Sequence, residues 1–354
     1  MELNSSAVNL SPAIIRSIDA LFPAIYQRPV RPAIAEASVA AGRKTLAFPA
    51  GCSVTVGSLT FSLPPLTLNM DIAANWDSVA TGYTVAANRS GKDFYVYALS
   101  TGRLILSANS TVPTGYTADN SRLIGGFHCL CLAAGTISGH TLTGFLAGDI
   151  IPASVWDISH RPVCSPAGMV YASALDIWVD IYLQSGTGAA TRSANGATIT
   201  DTRDWMDFTD DLGAVGKRML SDSEFQVAAA GSNEKTNILG AADPVTTGAH
   251  VDTASRRMIS NIGCEDMCGA LWQWLLDQSY RNDDAGYSGA WAYYTLPGNK
   301  GSLYRQSGSG DIKLLAGGTW ADGANCGSRR RNASNSRWNA NSSLGSRGCA
   351  RRQG

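Results

Sequence analysis

The sequence predicts an α+β chain of more than one domain, and three observations carry that expectation. Short alternating runs bounded by Gly, Pro and Asn begin near Lys44 and read as strands. Helical spacing is confined to an opening segment and to one stretch after Ser221. With 354 residues and 44% hydrophobic content, the chain has material for two or three cores.

Taken in order, "LSPAIIRSIDALFPAIYQRP" has a Ser-Pro start and apolar residues at helical spacing through Leu21, which predicts one short helix bent or ended near Pro23. The runs "KTLAFPAGCSVTVGSLTFSL" and "KDFYVYALSTGRLILSANS" predict a small β-sandwich or barrel, with Pro64 and Pro65 at an edge or in a loop. From Gly125 to Gly148 the text reads as a Gly-punctuated connector. "ALDIWVDIYLQ" alternates and closes on a Gly turn, as a strand does. In "LSDSEFQVAAAGSNE", Ser221 is an N-cap and Glu224 stands at capping-box spacing, so a helix is expected to run toward Gly231. "GCEDMCGALWQWLLD" is a turn leading into a Trp-rich strand or helix, and in a strand Trp272 and Trp274 share a face as core residues. "GSLYRQSGSGDIKLLAGGTW" reads as strand, turn, strand.

Charge narrows the function. The formal net charge is zero and 16% of residues are charged, so no global field favours nucleic acid or an anionic membrane. The first residues lack a basic region followed by an apolar one, and no stretch approaches the ~18 apolar residues of a span, so a protein made in the cytoplasm without a signal peptide is expected. Eight cysteines lack C-x2-C spacing and read as reduced, buried thiols. Cys264 and Cys268, four apart, would face one another on a helix, where a metal or disulfide is the alternative. Asp176 and Asp180 offer paired carboxylates for metal or acid-base work, against plain polar positions on an exposed face.

The segment "GGTWADGANCGSRRRNASNSRWNANSSLGSRGC" stands apart. Between Arg329 and Ser343 it holds no Val, Ile, Leu, Phe or Met, yet it carries Trp320 and Trp338 within a run of Arg, Asn and Ser. A disordered basic tail is one reading. A nucleic-acid arm built on Arg329, Arg330 and Arg331 with stacking from Trp338 is another, which a neutral chain disfavours. Two Trp, six Gly at turn-like places and the closing "LGSRGC" favour a third, a long structured loop displayed by a sheet. Asn and Ser then supply adaptable hydrogen bonds, and Arg and Trp supply anchors.

"SDSEFQVAAAGSNE", "GCEDMCGALWQWLLD" and "AGGTW…GSR…LGSRG", in that order, resemble the C-type lectin fold in its formylglycine-generating-enzyme-like form. The last stretch is similar to the variable region of proteins diversified by retroelements, a family that includes tropism determinants of phage tail fibres. The resemblance covers about residues 146 to 354 and is strongest over 317 to 348. It implies a lectin-type domain at 146–354 with a variable region at 317–349, behind a β-rich spacer at 44–145 and an attachment or oligomerisation segment at 1–43. "RLILSANSTVPTGYTADNSRLIGGFH" is similar to phage tail text as well.

Carried over by position, the resemblance makes Thr319, Ala321, Asp322, Asn325, Asn332, Ser334, Asn335, Asn339, Asn341 and Ser343 the variable, ligand-facing residues. Gly317, Gly318, Trp320, Gly327, Ser328, Trp338, Gly345, Arg347 and Gly348 become the scaffold. Arg329 to Arg331 and Arg337 stay open between ligand contact and a solvated basic rim. The implied partners are a host cell-surface receptor, of protein kind, and other tail-fibre subunits, in a virion and as a homotrimer, with no cofactor, nucleic acid or membrane insertion; a structural metal is left open.

The same fold in its namesake enzymes is a copper-dependent thiol oxidase that uses two cysteines shortly after a "GG-[ST]-aromatic" turn. Here Cys326 follows that turn without a second thiol at that distance, and no His follows His250, so the resemblance points away from an enzyme. A bacterial ligand-binding protein diversified in the same way is the alternative, and a lipobox, enzymatic module or span that would mark it is not found in the first half.

Overall fold

The computed structural model describes residues 43–48, 52–77, 82–281, 291–293, 302–304 and 310–353. The helix expected before Pro23 lies outside them. The described residues are mostly β, with a few short helices among many short strands, so the expected α+β balance is corrected toward β.

In the first half, strand Asp93–Leu99 lies between Leu104–Ser107 and Ser121–His128, and the latter pairs in turn with Trp156–Asp157. "DFYVYAL" places Phe94, Val96 and Ala98 on one face, against Leu46, Val54, Trp76 and Ile124. Two antiparallel pairs, the hairpin Cys52–Val56 with Leu59–Leu63 and, enclosing it in the chain, Thr45–Phe48 with Leu66–Asn69, cover that face. The two alternating runs are thus strands, as their period demanded.

The expected connector at Gly125 is instead the end of a central strand. A Cβ on Gly126 would lie 2.5 Å from the Phe94 carbonyl oxygen and 2.8 Å from the Trp156 ring. Glycine is there because neighbouring backbone and indole close over it, rather than because the chain turns. Residues Leu130 to Ile151 then pack with Val179, Ile181, Phe225, Leu275 and Ala316 in the core of the second half, while Trp156–Asp157 returns to the first sheet. The two halves interlock. Tyr182 is hydrogen-bonded to His128 Nε2 at 2.9 Å, and His128 Nδ1 to Asp93 Oδ1 at 2.9 Å, with Tyr182 and His128 both buried.

Among the described residues, the second half holds the two longest helices. Asp222–Ala228 begins at the expected capping box: the Ser221 hydroxyl accepts from the Glu224 N–H, and the Glu224 carboxylate accepts from the Ser221 N–H. Trp205–Ala214 was not expected. Its signal is Asp204, whose carboxylate accepts from the N–H groups of Met206 and Asp207 as an N-cap. Between them the helices clasp a sheet ordered Trp291–Tyr293, Ser302–Tyr304, Gly327–Ser336, Gly310–Gly317, Trp272–Arg281, Leu344–Gly345. Trp272 and Trp274 pack with Leu315, Phe208 and Leu212 on one side of that sheet, as core. Leu275 and Ala316 join Phe225 on the other.

Cys264 and Cys268 lie in irregular chain, so the helical pairing is corrected; both are free, buried thiols. Asp176 and Asp180 also part company. Asp180 is buried, accepting from Lys217 Nζ at 2.6 Å and from the Gly348 N–H at 3.1 Å. Asp176 sits in the hairpin with φ 52° and accepts from the Tyr171 hydroxyl.

Candidate binding surface

The distinctive segment forms a turn, a long strand and a second turn. Its central part is strand Gly327–Ser336, held parallel to Ser302–Tyr304 and antiparallel to Gly310–Gly317, so the expected loop is corrected to a strand inside a sheet. A strand this polar persists because its neighbours satisfy the backbone and its few inward residues are committed to the core side.

The glycines fix how the segment enters that sheet. Gly317 and Gly318 have φ of 95° and 89°, and a Cβ on them would lie 2.5 Å from the Met267 carbonyl oxygen and 2.8 Å from Cys326 Sγ. Both conformation and space therefore require glycine. Gly327 has φ 151°, and the Glu234 carboxylate lies over it. That carboxylate accepts from the Ser328 N–H at 3.0 Å and from the Ser328 hydroxyl.

At the other end, Arg347 is buried and donates to Gln273 Oε1 at 3.0 Å and to the carbonyl oxygens of Asp180, Ile181 and Glu265. Burial pushes its pKa down. Gly348 leaves room for Asp180 Oδ2, 2.5 Å from where its Cβ would stand, and Gly345 pairs with Gln273. Trp320 is half-buried against Leu271 and Ile238, its N–H donating to the Ala270 carbonyl oxygen at 2.9 Å.

The ten residues expected to face a ligand divide into two groups, one in the turn before the strand and one that runs from Asn332 within it into the second turn. The first turn is organised by Asp322, whose Oδ2 accepts from the Thr319 N–H at 2.7 Å and hydroxyl at 2.9 Å. Thr319 is buried, so as a ligand-facing residue it is corrected: its hydroxyl is spent on the turn. Ala321 is exposed, and Asp322 and Asn325 are half-buried.

The second group is joined by side chains. Asn332 Oδ1 accepts from the Ser334 hydroxyl at 2.6 Å and N–H at 2.9 Å, and from Asn335 Nδ2 at 3.3 Å. Asn339 Nδ2 donates to Asn335 Oδ1 at 2.7 Å. Asn341 caps its own turn, accepting from the Ser343 N–H at 2.9 Å. The first group is separated from the second by the six residues between Asn325 and Asn332, a span of up to roughly 23 Å in extended chain.

The arginines resolve by face. Arg329 is exposed. Arg330 and Arg331 are buried, and the Arg331 guanidinium bonds to Asp222 and lies 5.1 Å over the Phe225 ring. Arg337 pairs with Asp311 at 2.8 Å and lies 5.2 Å over the Trp338 ring.

Trp338, expected as scaffold, is corrected: it is 63% exposed at the tip of the second turn. The turn itself is fastened, with the Asn339 N–H donating to the Ser336 carbonyl oxygen at 3.0 Å and the Trp205 N–H to the Arg337 carbonyl oxygen at 3.1 Å. A large aromatic on a fixed turn, ringed by amides and hydroxyls, is what a binding anchor needs. The sequence around it, without Val, Ile, Leu, Phe or Met from Arg329 to Ser343, gave it no large apolar neighbour, but did not fix its exposure.

Cys326 follows the Gly-Gly turn, and its thiol donates to the Thr319 carbonyl oxygen at 3.2 Å. Spacing alone had left it without a partner, but folding brings Cys268 to the other side of Gly317 and Gly318. Burial pushes both thiols well up, which keeps them protonated. No group of three or more potential metal ligands occurs among the described residues.

Comparison with known proteins agrees with this geometry. Residues 36–157 match the family described as the Mtd second domain. The chain is 29% identical over 273 residues to the tail fiber receptor-binding protein of Bordetella phage BPP-1, covering 70% of this chain and 68% of that one. Among solved structures, the U1 variant of the Major Tropism Determinant superposes with TM-score 0.67 at 26% identity, over 87% of this chain and 81% of that one. The M1 variant gives TM-score 0.67 at 26% identity, over 88% and 82%. Over most of its length, the chain is similar to phage tropism determinants.

Proposed function

We propose that this chain is the receptor-binding protein of a phage tail fibre, and that strand Gly327–Ser336 with its two flanking turns is the surface that meets the host. One observation carries the assignment of that surface. A segment almost without aliphatic residues is held in a sheet by glycines, Arg331 and Arg347, while Asn332, Ser334, Asn335, Asn339 and Trp338 remain at least partly open to solvent. Building the backbone into a sheet places the ordering cost in folding, so a partner is bound without that loss.

The finer reading rests on the resemblance to diversified tail-fibre proteins. The second half, with residues of Leu130 to Ile151 in its core, forms a domain of the C-type lectin kind; the first half, whose sheet reaches Trp156–Asp157, is a spacer, and 1–43 is an attachment segment. The region 317–349 is diversified by a retroelement at its outward positions, and three copies act together in the virion, where several weak contacts gain by avidity. The receptor is a host surface protein, and the chain performs no catalysis. Competition tests the proposal: purified chain added in excess should block adsorption of its phage to host cells, and unimpaired adsorption would overturn it.

A further inference from the structure

We propose that the exposed loop from Leu239 to Val245, outside 317–349, is a constant part of the receptor-binding face and supplies its aliphatic contact, against an apolar patch on a folded protein. The inference rests on the receptor-binding reading of strand Gly327–Ser336 and its two turns.

The loop joins those turns. At its start, Asn237 Nδ2 donates to the Trp320 carbonyl oxygen of the first turn, and Ile238 packs with Trp320. At its end, the Ile199 N–H donates to the Val245 carbonyl oxygen at 3.0 Å, and close by in the chain the Thr202 N–H donates to the Asn341 carbonyl oxygen of the second turn at 3.2 Å. The Asp243 carboxylate interacts with the Ser342 side chain of that turn. The loop is also held to the body of the fold. The Ile238 N–H donates to the Gly269 carbonyl oxygen at 2.9 Å and the Leu239 N–H to that of Val251 at 2.9 Å. Gly240 and Ala241, with φ of 86° and 49°, then reverse the chain through two left-handed residues.

Composition gives the loop its part. Leu239 is 56% exposed and Val245 73%, and Gly240, Ala241 and Ala242 are exposed as well. Between Arg329 and Ser343 there is no Val, Ile, Leu, Phe or Met. A face of amides and hydroxyls exchanges water for partner at little net gain, and stable protein contacts set an apolar centre inside a polar rim. Trp338 offers one apolar group from the second turn; the loop adds aliphatic side chains that stay the same as 317–349 changes. Each variant then starts from the same apolar affinity, and its own side chains add selection. A glycan presents hydroxyls and stacks its C–H face on aromatic rings, whereas Leu and Val match the aliphatic surface of a protein. A second copy of this chain seated on the loop would cover the turns that the loop joins, closing the face to a receptor.

The test compares the full chain with Leu239→Ser, Val245→Ser and the double variant in binding to host cells, using two chains that both bind but differ in sequence over 317–349. The double variant should bind at least about tenfold more weakly in both chains, with the thermal transition and oligomeric mass of the parent kept. Protease treatment of the cells should abolish binding by the parent. Unchanged binding by the double variant, a loss in one of the two chains only, or binding that survives the protease would overturn the proposal. A lower oligomeric mass by light scattering would overturn it too, assigning the loop to contact between copies. The parent chain is measured first: if it does not bind host cells, the receptor reading fails and this inference with it. A parent that binds beside a double variant that binds equally well sinks this inference alone.

Discussion

Arg331, in the middle of strand Gly327–Ser336, bonds through its guanidinium to Asp222, the first residue of helix Asp222–Ala228. The same side chain donates to the carbonyl oxygens of Ser328 at 3.0 Å and Arg330 at 2.8 Å. It thus ties the strand to the helix N-terminus, where an acidic residue also favours the dipole. A residue that reads as surface in the sequence is an internal fastening.

Arg331→Ala should therefore lower unfolding free energy by roughly 2–4 kcal/mol, since it leaves a part-buried carboxylate and two carbonyls without their donor. Arg329→Ala, two residues away and exposed, should change it by less than about 0.5 kcal/mol. Urea unfolding of both variants checks the contrast, and equal effects would contradict it.

Trp338→Ala should leave the thermal transition within about 2 °C, because the indole is 63% exposed. Host binding by the same variant should fall by about 2 kcal/mol or more, roughly thirtyfold in Kd. Cell-binding assays alongside thermal melts measure both; a large stability loss with intact binding would return Trp338 to the scaffold.

Glycine substitutions separate conformation from space. Gly317→Ala meets a positive φ and the Met267 carbonyl oxygen 2.5 Å from the new Cβ, so a loss of about 3 kcal/mol or more is expected. Gly115→Ala has φ 84° with nothing within 4 Å of the new Cβ, and should cost only about 1 kcal/mol. Denaturant midpoints at equal m-value decide between them.

His250 predicts a pH dependence. Burial pushes its pKa down, but the buried Asp266 carboxylate, 2.9 Å from Nδ1, outweighs burial and holds it above the ordinary imidazole value. The folded state binds that proton more tightly than the unfolded state. Its stabilising contribution is full below the unfolded value, near 6.5, and is lost as pH rises through the folded one. The stability gap between the parent chain and His250→Gln should be largest near pH 5.5 and shrink by pH 8.5. A gap that widens with pH would contradict the pairing.

Much of the fold was legible where periodicity and capping act locally. "DFYVYAL" had to be a strand, and Ser221 with Glu224 announced a helix start, because those signals need only neighbouring residues. What was not legible depended on contacts distant in sequence. Gly126 read as a turn, though its reason is Trp156; Cys326 read as alone, though Cys268 lies across the Gly-Gly turn. At the candidate site, Gly317 and Gly318 were recognisable as frame. Thr319, Arg331 and Trp338 were not, since their exposure follows from strand register and from partners such as Asp222.

The most direct measurement is to sequence many copies of this gene from one phage population, together with flanking DNA that would carry a template copy. The account predicts substitutions concentrated at outward positions such as Ala321, Asn332, Ser334, Asn335 and Asn339, with Gly317, Gly318, Gly327, Arg331 and Arg347 fixed. Substitutions spread evenly along the chain, or frequent at Arg331 and Gly317, would contradict a diversified binding surface on this strand.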